Sequence, residues 1–394
     1  MVTAEEIRSA AERIRPHVHR TPILFSRSLS AMTGCEVYLK AENLQKTGSF
    51  KVRGAFNKLS RLGADRVIAA SMGNHAQAIA YAAWILGIKA RIVMPVTAPL
   101  IKEEATRGYG AEVVLHGDTF SAALSYARSE RNYTFIHAFD DPDIVAGQGT
   151  IALEVFEDLP DADDILVPVG GGGLIGGIAV AASSVSPKIR VTGVQAEAAI
   201  SAVRSLKDGR IVAHDPGPTI ADGIAVGKVG DIPFEIMRRH VTDILSVGDE
   251  DIAVAILLFL ERKKLVVEGA GAVPLAALLR WGQRFSGRRV VLVLSGGNID
   301  FTLIDHIVHK GLVGTGRAGV FEVTLDDVPG SLHALTGVIT RHRGNILHVF
   351  HDRFPLDIPV GKARVVVAVE TRGKEYFDAI LSELSARGME VRRR

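Results

Sequence analysis

Apolar positions along the first three-quarters of the chain alternate between short β-branched runs and longer amphipathic stretches. RVIAASMGNHAQAIAYAAWILG reads as strand, glycine loop and helix. KARIVMPVTAP, AEVVLHGD, YTFIHAF, DILVPVGGGGLIGGIAVAAS, RVTGVQAE and RRVVLVLSGGNID each read as a strand ending in a loop. Strands that are apolar throughout and separated by helical patterns predict parallel sheets covered on both faces. At the N-terminus, Thr3 and Glu6 stand at capping-box spacing and predict a helix start. Residues 165–182 carry no charge, but six glycines and Pro168 interrupt them, so they read as buried strand, loop and helix rather than a membrane span.

The rhythm changes late in the chain. Residues 308–319 hold four glycines and little apolar periodicity, which predicts a linker. VFEVTLDDVPG then reads as strand and turn, and SLHALTGVITRHRG as a helix with Leu332, Leu335, Val338 and Ile339 on one face. NILHVFHD and ARVVVAVE read as strands, KEYFDAILSELSARG as a helix and MEVRR as a last strand. That βαββαβ order in about 75 residues is the size of a ferredoxin-like module.

Composition narrows the class. With 394 residues, 47% of them hydrophobic, the chain exceeds one ordinary core, and two or three domains are expected. Lysine and arginine number 46 against 44 acidic residues, a net charge of +2 that calls for neither nucleic acid nor a membrane surface. The basic tail EVRRR reads as a solvated end. The single cysteine, Cys35, excludes an internal disulfide and fits a reducing compartment. The first residues are acidic where a signal peptide would be basic, and a cytoplasmic protein is expected.

Candidate chemistry sits in four places. KTGSFKVRGA puts two lysines and an arginine around a Gly-Ser-Phe turn; a surface loop reads so, and so does a lysine held to form a Schiff base with a carbonyl. The quartet Gly170, Gly171, Gly172 and Gly173 separates an apolar strand from the helix LIGGIAVAA. Unobstructed N–H groups and the positive end of a helix suit a phosphate; close helix–sheet packing is the other reading. Neither an N-terminal G-x-G-x-x-G unit nor a Walker lysine is present, which disfavours dinucleotides and nucleoside triphosphates. SMGNHAQ offers amides for a carboxylate and Asn74 as a donor, or simply a helix cap. SGGN, residues 295–298, brings a hydroxyl to another strand end. Three glycine-containing loops at strand ends plus one lysine point jointly to a ligand site. His342, His348 and His351 read as scattered histidines, since His348 and His351 alternate across a predicted strand.

KAENLQKTGSFKVRGA, SMGNHAQAIAYAA, PVGGGGLIGGIA, VVEGAGA and VLSGGN stand in the order and spacing of the fold-type-II pyridoxal-phosphate enzymes. Across residues 14–307 the chain most resembles the threonine dehydratase (threonine ammonia-lyase) and serine racemase branch. DDVPGSL and RGNI make the C-terminal module resemble an ACT-type regulatory domain. The resemblance implies an α/β catalytic domain over residues 1–307, built of two parallel-sheet subdomains. The smaller, about 48–150, is inserted in the larger; a linker 308–319 and an ACT-type domain 320–394 follow. By the same resemblance Lys51 would carry pyridoxal phosphate, with Phe50 near the ring. Gly170, Gly171, Gly172, Gly173 and Leu174 would hold the phosphate. Asn74 would bond the ring's 3-oxygen, Ser295 would face its nitrogen, and Glu268 would lie beside it. Ser71, Met72, Gly73, Asn74 and His75 would take the substrate carboxylate. Lys46, Lys58 and Arg53 read as solvated or structural charges.

The implied reaction is β-elimination of water from L-threonine or L-serine, giving 2-oxobutyrate or pyruvate and ammonia, with Lys51 as the base at the α-carbon. A hydroxyl at Ser295 cannot keep a pyridine nitrogen protonated as a carboxylate would, which favours elimination over transamination. Two departures bear on this. Racemases of the branch have a proton-exchanging serine where this chain has Met72, whose thioether exchanges none; dehydratases usually have alanine there, so the pocket's shape is open. Where racemase-like members place two carboxylates for a divalent cation, this chain has Gln195 and Ser201, and no metal is expected. The ACT-type resemblance places an effector, isoleucine or valine, near Asp326, Gly330 and Asn345, and implies a homodimer or homotetramer. Rival readings are a serine- or hydroxyaspartate-preferring dehydratase, a weak racemase, and a catalytically silent amino-acid sensor. One methyl group is worth only about 1–3 kcal/mol in a pocket, so threonine and serine are not separated.

Overall fold

The short apolar runs become the strands of two parallel sheets. A computed structural model describes residues 2–394. Its larger sheet runs, in spatial order, Ile23–Phe25, Glu36–Lys40, Arg289–Val293, Asp164–Pro168, Arg190–Ala196 and Asp243–Val247; only the first pair is antiparallel. Every residue of the strand Asp164–Pro168 is buried, as a central strand covered on both faces must be; its one charged residue, Asp164, is paired with Arg190 and Arg288. The second sheet is parallel throughout, in the order Glu112–Leu115, Lys89–Met94, Arg66–Ala70 and Thr134–Phe135. In sequence it falls between Glu36–Lys40 and Asp164–Pro168 of the larger sheet. Residues 1–300 form one compact unit and 301–394 another.

Three helices of the first unit set the site. The helix Lys51–Leu62 starts at the candidate lysine, and the helix Gly173–Val185 follows the glycine quartet. Between them lies the helix Pro142–Asp158, started by Asp141, whose carboxylate accepts from the Asp143 and Ile144 N–H groups, and by Pro142 in its first turn. Gly147 meets Gly54 so closely that a Cβ there would lie 2.6 Å from the Gly54 Cα. A Cβ on Gly149 would lie 2.7 Å from the Gly177 carbonyl oxygen. Helix Pro142–Asp158 thus touches both neighbours backbone to backbone.

Arg53, one of the charges expected to be solvated or structural, is 1% exposed and belongs to a buried cluster. It donates to both oxygens of Glu42 at 2.8 Å, to both oxygens of Glu154 at 2.6 and 2.9 Å, to Thr150 Oγ1 and to the His19 carbonyl. Fully buried Lys40 donates to Glu154 and to the Thr21 carbonyl. Lys58 pairs with Asp141 at 2.7 Å and Asp143 at 3.2 Å, tying the lysine helix to the start of its neighbour. At the N-terminus the predicted capping box is formed: Glu6 N–H donates to Thr3 Oγ1 and Thr3 N–H to the Glu6 carboxylate.

The second unit is the predicted βαββαβ module. Its antiparallel sheet runs Asn345–Asp352, Lys362–Glu370, Ala318–Asp326 and Glu390–Arg393, the ferredoxin-like order. Leu335, Val338 and Ile339 face its core, with Leu332 packed beside them. The expected linker does not hold, because residues 308–314 continue the helix Phe301–Gly314. Gly311 and Gly314 are tolerated in it, and Thr315 Oγ1 closes its end on the Gly311 and Leu312 carbonyls. Glycine-rich composition hid a helix that is merely weak in propensity.

Candidate active site

The turn carrying Lys51 is pinned to the third glycine-containing loop. Thr47 and Gly48 both take positive φ, 61° and 71°, and the chain then runs antiparallel to that loop: Ser49 bridges Gly296, Phe50 N–H donates to the Ser295 carbonyl, and Gly297 N–H to the Gly48 carbonyl. A β-branched residue in the left-handed region is strained, and such strain persists where surrounding contacts enforce it. Lys51 Nζ has one hydrogen bond among the described residues, to the Ala138 carbonyl at 3.0 Å, and lies 5.3 Å from the centre of the Phe50 ring. Burial pushes this amine down to about 8, with Glu268 opposing the shift.

Ala138 connects the lysine to the glycine quartet through its neighbour Phe139. A Cβ on Gly171 would lie 2.3 Å from the Phe139 ring, and one on Gly173 3.0 Å from Phe139 Cβ. Gly172 takes φ 92°, and a Cβ there would meet Pro233 at 2.7 Å. The quartet is therefore glycine because the loop has no room for side chains. Its amides at residues 170–174 donate to no backbone acceptor among the described residues, and they open the helix Gly173–Val185. The loop thus presents unpaired donors at the positive end of a helix, which fits a phosphate. Leu174 is buried directly behind it.

Asn74 and Glu268 meet across the site. Asn74 Nδ2 donates to the two Glu268 oxygens at 2.8 and 3.1 Å. Glu268 precedes the helix Gly269–Trp281, and its N–H donates to the Gly296 carbonyl. Burial pushes its carboxyl up to about 7, with the Asn74 hydrogen bond pulling the other way. Ser295 is 2% exposed, and its hydroxyl has no protein partner among the described residues. In the 71–75 loop, Ser71 Oγ accepts the Gly73 N–H, and Met72 packs against the core of the smaller sheet. The His75 ring points inward: it is buried, lies 3.3 Å from the Ile136 carbonyl, and burial drives it down to about 3, so it stays neutral. Only the backbone of residue 75 is left to face a ligand. Gln195 is occupied elsewhere, accepting from the Ala202 and Val203 N–H groups at 3.0 Å and donating to the Val169 carbonyl, while Ser201 donates to the Val226 carbonyl.

Three participants lay outside the residues singled out from sequence. Phe139 floors the glycine loop. His137 Nδ1 accepts the Phe139 and Asp140 N–H groups, shaping the segment that receives Lys51. Asn298 donates to Asn74 Oδ1. The signal for the first two was the strand-end loop of YTFIHAF; for the third, the last letter of SGGN.

The effector residues expected in the second unit stand apart from one another chemically. Asp326 pairs with Lys362 at 2.7 Å, and Gly330 starts the helix Ser331–Arg341 at φ 96° with open space around its Cα. Asn345 reaches Glu370 at 3.5 Å.

A partly buried lysine amine, unpaired glycine-loop amides and a buried hydroxyl at a strand end form a set that fits a carbonyl cofactor bearing a phosphate and an aromatic nitrogen. Comparison with known proteins agrees. Residues 14–296 match the family described as pyridoxal-phosphate dependent enzymes. The chain is 47% identical to the L-threonine ammonia-lyase of Thermotoga maritima over 100% of this chain and 99% of that one. It is 44% identical to the catabolic L-threonine dehydratase of Escherichia coli K12 over 78% of this chain and 96% of the relative. The crystal structure of the T.th. threonine deaminase superposes with a TM-score of 0.73 at 45% identity, covering 76% of this chain and 99% of that one. Maize serine racemase superposes at 0.74 with 35% identity, covering 79% and 98%. With lysine, glycine loop and serine standing in one site, the chain belongs to the family of pyridoxal-phosphate dependent enzymes.

Proposed function

We propose that the enzyme converts L-threonine to 2-oxobutyrate and ammonia, and L-serine to pyruvate and ammonia. The observation that carries the reading is the Lys51 amine, held by one carbonyl next to the residue that floors the glycine loop. Identity to L-threonine ammonia-lyases along the whole chain supports the choice of substrate. In this reading Lys51 carries the cofactor, the amides of residues 170–174 hold its phosphate, Asn74 its 3-oxygen, and Ser295 faces its nitrogen. When bound, pyridoxal phosphate supplies an electron sink for negative charge at the substrate α-carbon. Lys51, whose amine is held near 8, accepts the α-proton at Nζ. The amides of residues 72, 74 and 75 bind the substrate carboxylate as dipoles, because His75 carries no charge there. Phe50, whose ring lies 5.3 Å from Nζ, shields the amine from water on that side. Met72 offers no proton to the opposite face of the α-carbon, and racemisation is not expected to compete.

The second unit is proposed to be an ACT-type regulatory domain that binds isoleucine or valine near Asp326, Gly330 and Asn345. Its ferredoxin-like strand order supports this. A homodimer or homotetramer is proposed as well, supported by the exposed apolar side chains Phe350, Phe354, Leu356 and Val360. The single, buried Cys35 supports placement in the reducing cytoplasm, and among the described residues no helix is long and apolar enough to cross a membrane.

The test is release of 2-oxo acid from L-threonine and L-serine in parallel, with and without isoleucine, for the native protein and Lys51→Ala. Faster 2-oxobutyrate release, abolished in the variant and slowed by isoleucine, is expected. Pyruvate alone would move the assignment to serine. A colourless protein active on neither substrate would refute the enzymatic reading, and indifference to isoleucine and valine in both rate and thermal midpoint would refute the regulatory one.

A further inference from the structure

The amide of Asn298 joins the third glycine-containing loop to the second. Its Nδ2 lies 2.7 Å from the Thr47 carbonyl oxygen and 2.7 Å from Asn74 Oδ1. A backbone carbonyl can only accept, so the Asn298 atom facing Thr47 is the nitrogen. The same nitrogen faces Asn74, and its second hydrogen needs an acceptor there. Asn74 must therefore turn its oxygen toward Asn298 and its nitrogen toward Glu268, where the two carboxylate oxygens stand at 2.8 and 3.1 Å. Turned end for end, Asn74 would set its own oxygen against that carboxylate and leave the Asn298 donor facing another donor. An asparagine amide has no intrinsic preference between these orientations; only its partners decide.

The orienting group is itself held. Thr47 and Gly48 both lie in the left-handed region, which aims the Thr47 carbonyl at Asn298. A Cβ on Gly48 would lie 2.4 Å from Asn298 Oδ1, so the turn before Lys51 closes directly on this side chain. The network thus begins in the lysine turn, passes through Asn298 and ends on the Asn74 amide.

We infer that Asn298 is a positioning residue: it fixes the Asn74 amide so that an N–H, not a C=O, is presented to the cofactor's ring oxygen. This rests on the proposal above that Asn74 binds that oxygen. Asn298 touches neither substrate nor cofactor in this role. It acts through Asn74.

The experiment uses full-length enzyme stripped of cofactor, in four forms: native, Asn298→Asp, Asn74→Ala and the double variant. Two quantities are read for each: the dissociation constant for pyridoxal phosphate from absorbance titration, and the pH midpoint of the bound cofactor's visible band. Aspartate keeps the shape of Asn298 but replaces the donor with acceptors, which face the Asn74 and Thr47 oxygens. Asn298→Asp is expected to weaken cofactor binding about tenfold and to displace the midpoint. In the Asn74→Ala background the same change should alter binding less than about twofold, because the group it acts through is gone. Asn298 is exposed, and an unchanged thermal midpoint of the stripped protein is expected. Equal effects in both backgrounds would overturn the inference, as would native-like Asn298→Asp beside a weakened Asn74→Ala. If Asn74→Ala changes neither quantity, the reading of Asn74 falls, and the inference with it.

Discussion

Exchanging Arg53 for methionine removes a charge from the buried cluster while keeping much of the side chain's reach. The intact cluster holds two cations, Lys40 and Arg53, and two carboxylates, Glu42 and Glu154; the variant carries one uncompensated negative charge. Glu42, with no exposure of its own, would keep only the Thr21 hydroxyl and the field of Lys40. Removing one partner of a buried pair costs about 3–5 kcal/mol, and a loss of that size is expected at about pH 8. The loss should shrink in acid. In the native protein burial pushes the Glu42 carboxyl up, but Arg53, Lys40 and Thr21 together hold it below its ordinary value. Without Arg53 burial wins, and the folded-state value rises above the unfolded value of about 4.3. Between those two values the folded variant holds a proton that the unfolded chain has released, so its stability falls as pH rises through the window. The deficit is therefore smaller at about pH 5 than at about pH 8. Adding Glu42→Gln leaves Lys40 and Glu154 balanced and should recover more than half of it. Urea unfolding followed by tryptophan fluorescence reads the right unit, because Trp84 and Trp281 both lie in residues 1–300. A single variant within about 1 kcal/mol of native at about pH 8, a deficit indifferent to pH, or a double variant no better than the single would each refute the reasoning.

Two further predictions concern the site. The amine of Lys51 reacts in its deprotonated form, so uptake of pyridoxal phosphate by stripped enzyme should quicken with pH and level off above about 8; stopped-flow absorbance checks this, and a rate still climbing through about pH 10 would show an ordinary lysine. Gly171→Ala puts a methyl group into the Phe139 ring and should weaken cofactor binding at least about tenfold. Phe139→Ala added to it should restore part of that binding, and equal constants for single and double variants would remove the steric explanation.

The parallel sheets and the C-terminal module were legible because each rests on local rhythm: runs like ILVPV are buried on both faces, and Leu335, Val338 and Ile339 repeat at helical spacing. The glycine quartet was legible as a loop, though not the reasons for it, which are Phe139 against Gly171 and Gly173 and Pro233 against Gly172, all distant in the chain. Arg53 was read as a solvated or structural charge, and the structural role could not be singled out because its partners, Glu42 and Glu154, lie on different elements and charge composition says nothing of burial. The helix Phe301–Gly314 was missed where two glycines diluted a weak pattern. Asn298 was visible only as the last letter of SGGN, and its role was not, since that consists in two bonds to residues more than 200 positions away.

The glycines at which helix Pro142–Asp158 meets its neighbours set a tolerance for the whole catalytic apparatus. One neighbour begins at Lys51 and the other at the glycine loop, so the distance between amine and loop is gauged by two contacts with no clearance. Hydrogen bonds and ion pairs stretch, exchange with water and weaken in salt; the repulsion of one backbone by another does none of these. The span a substrate must fit is thereby made insensitive to solvent, and evolution can retune it only in steps the width of a methyl group.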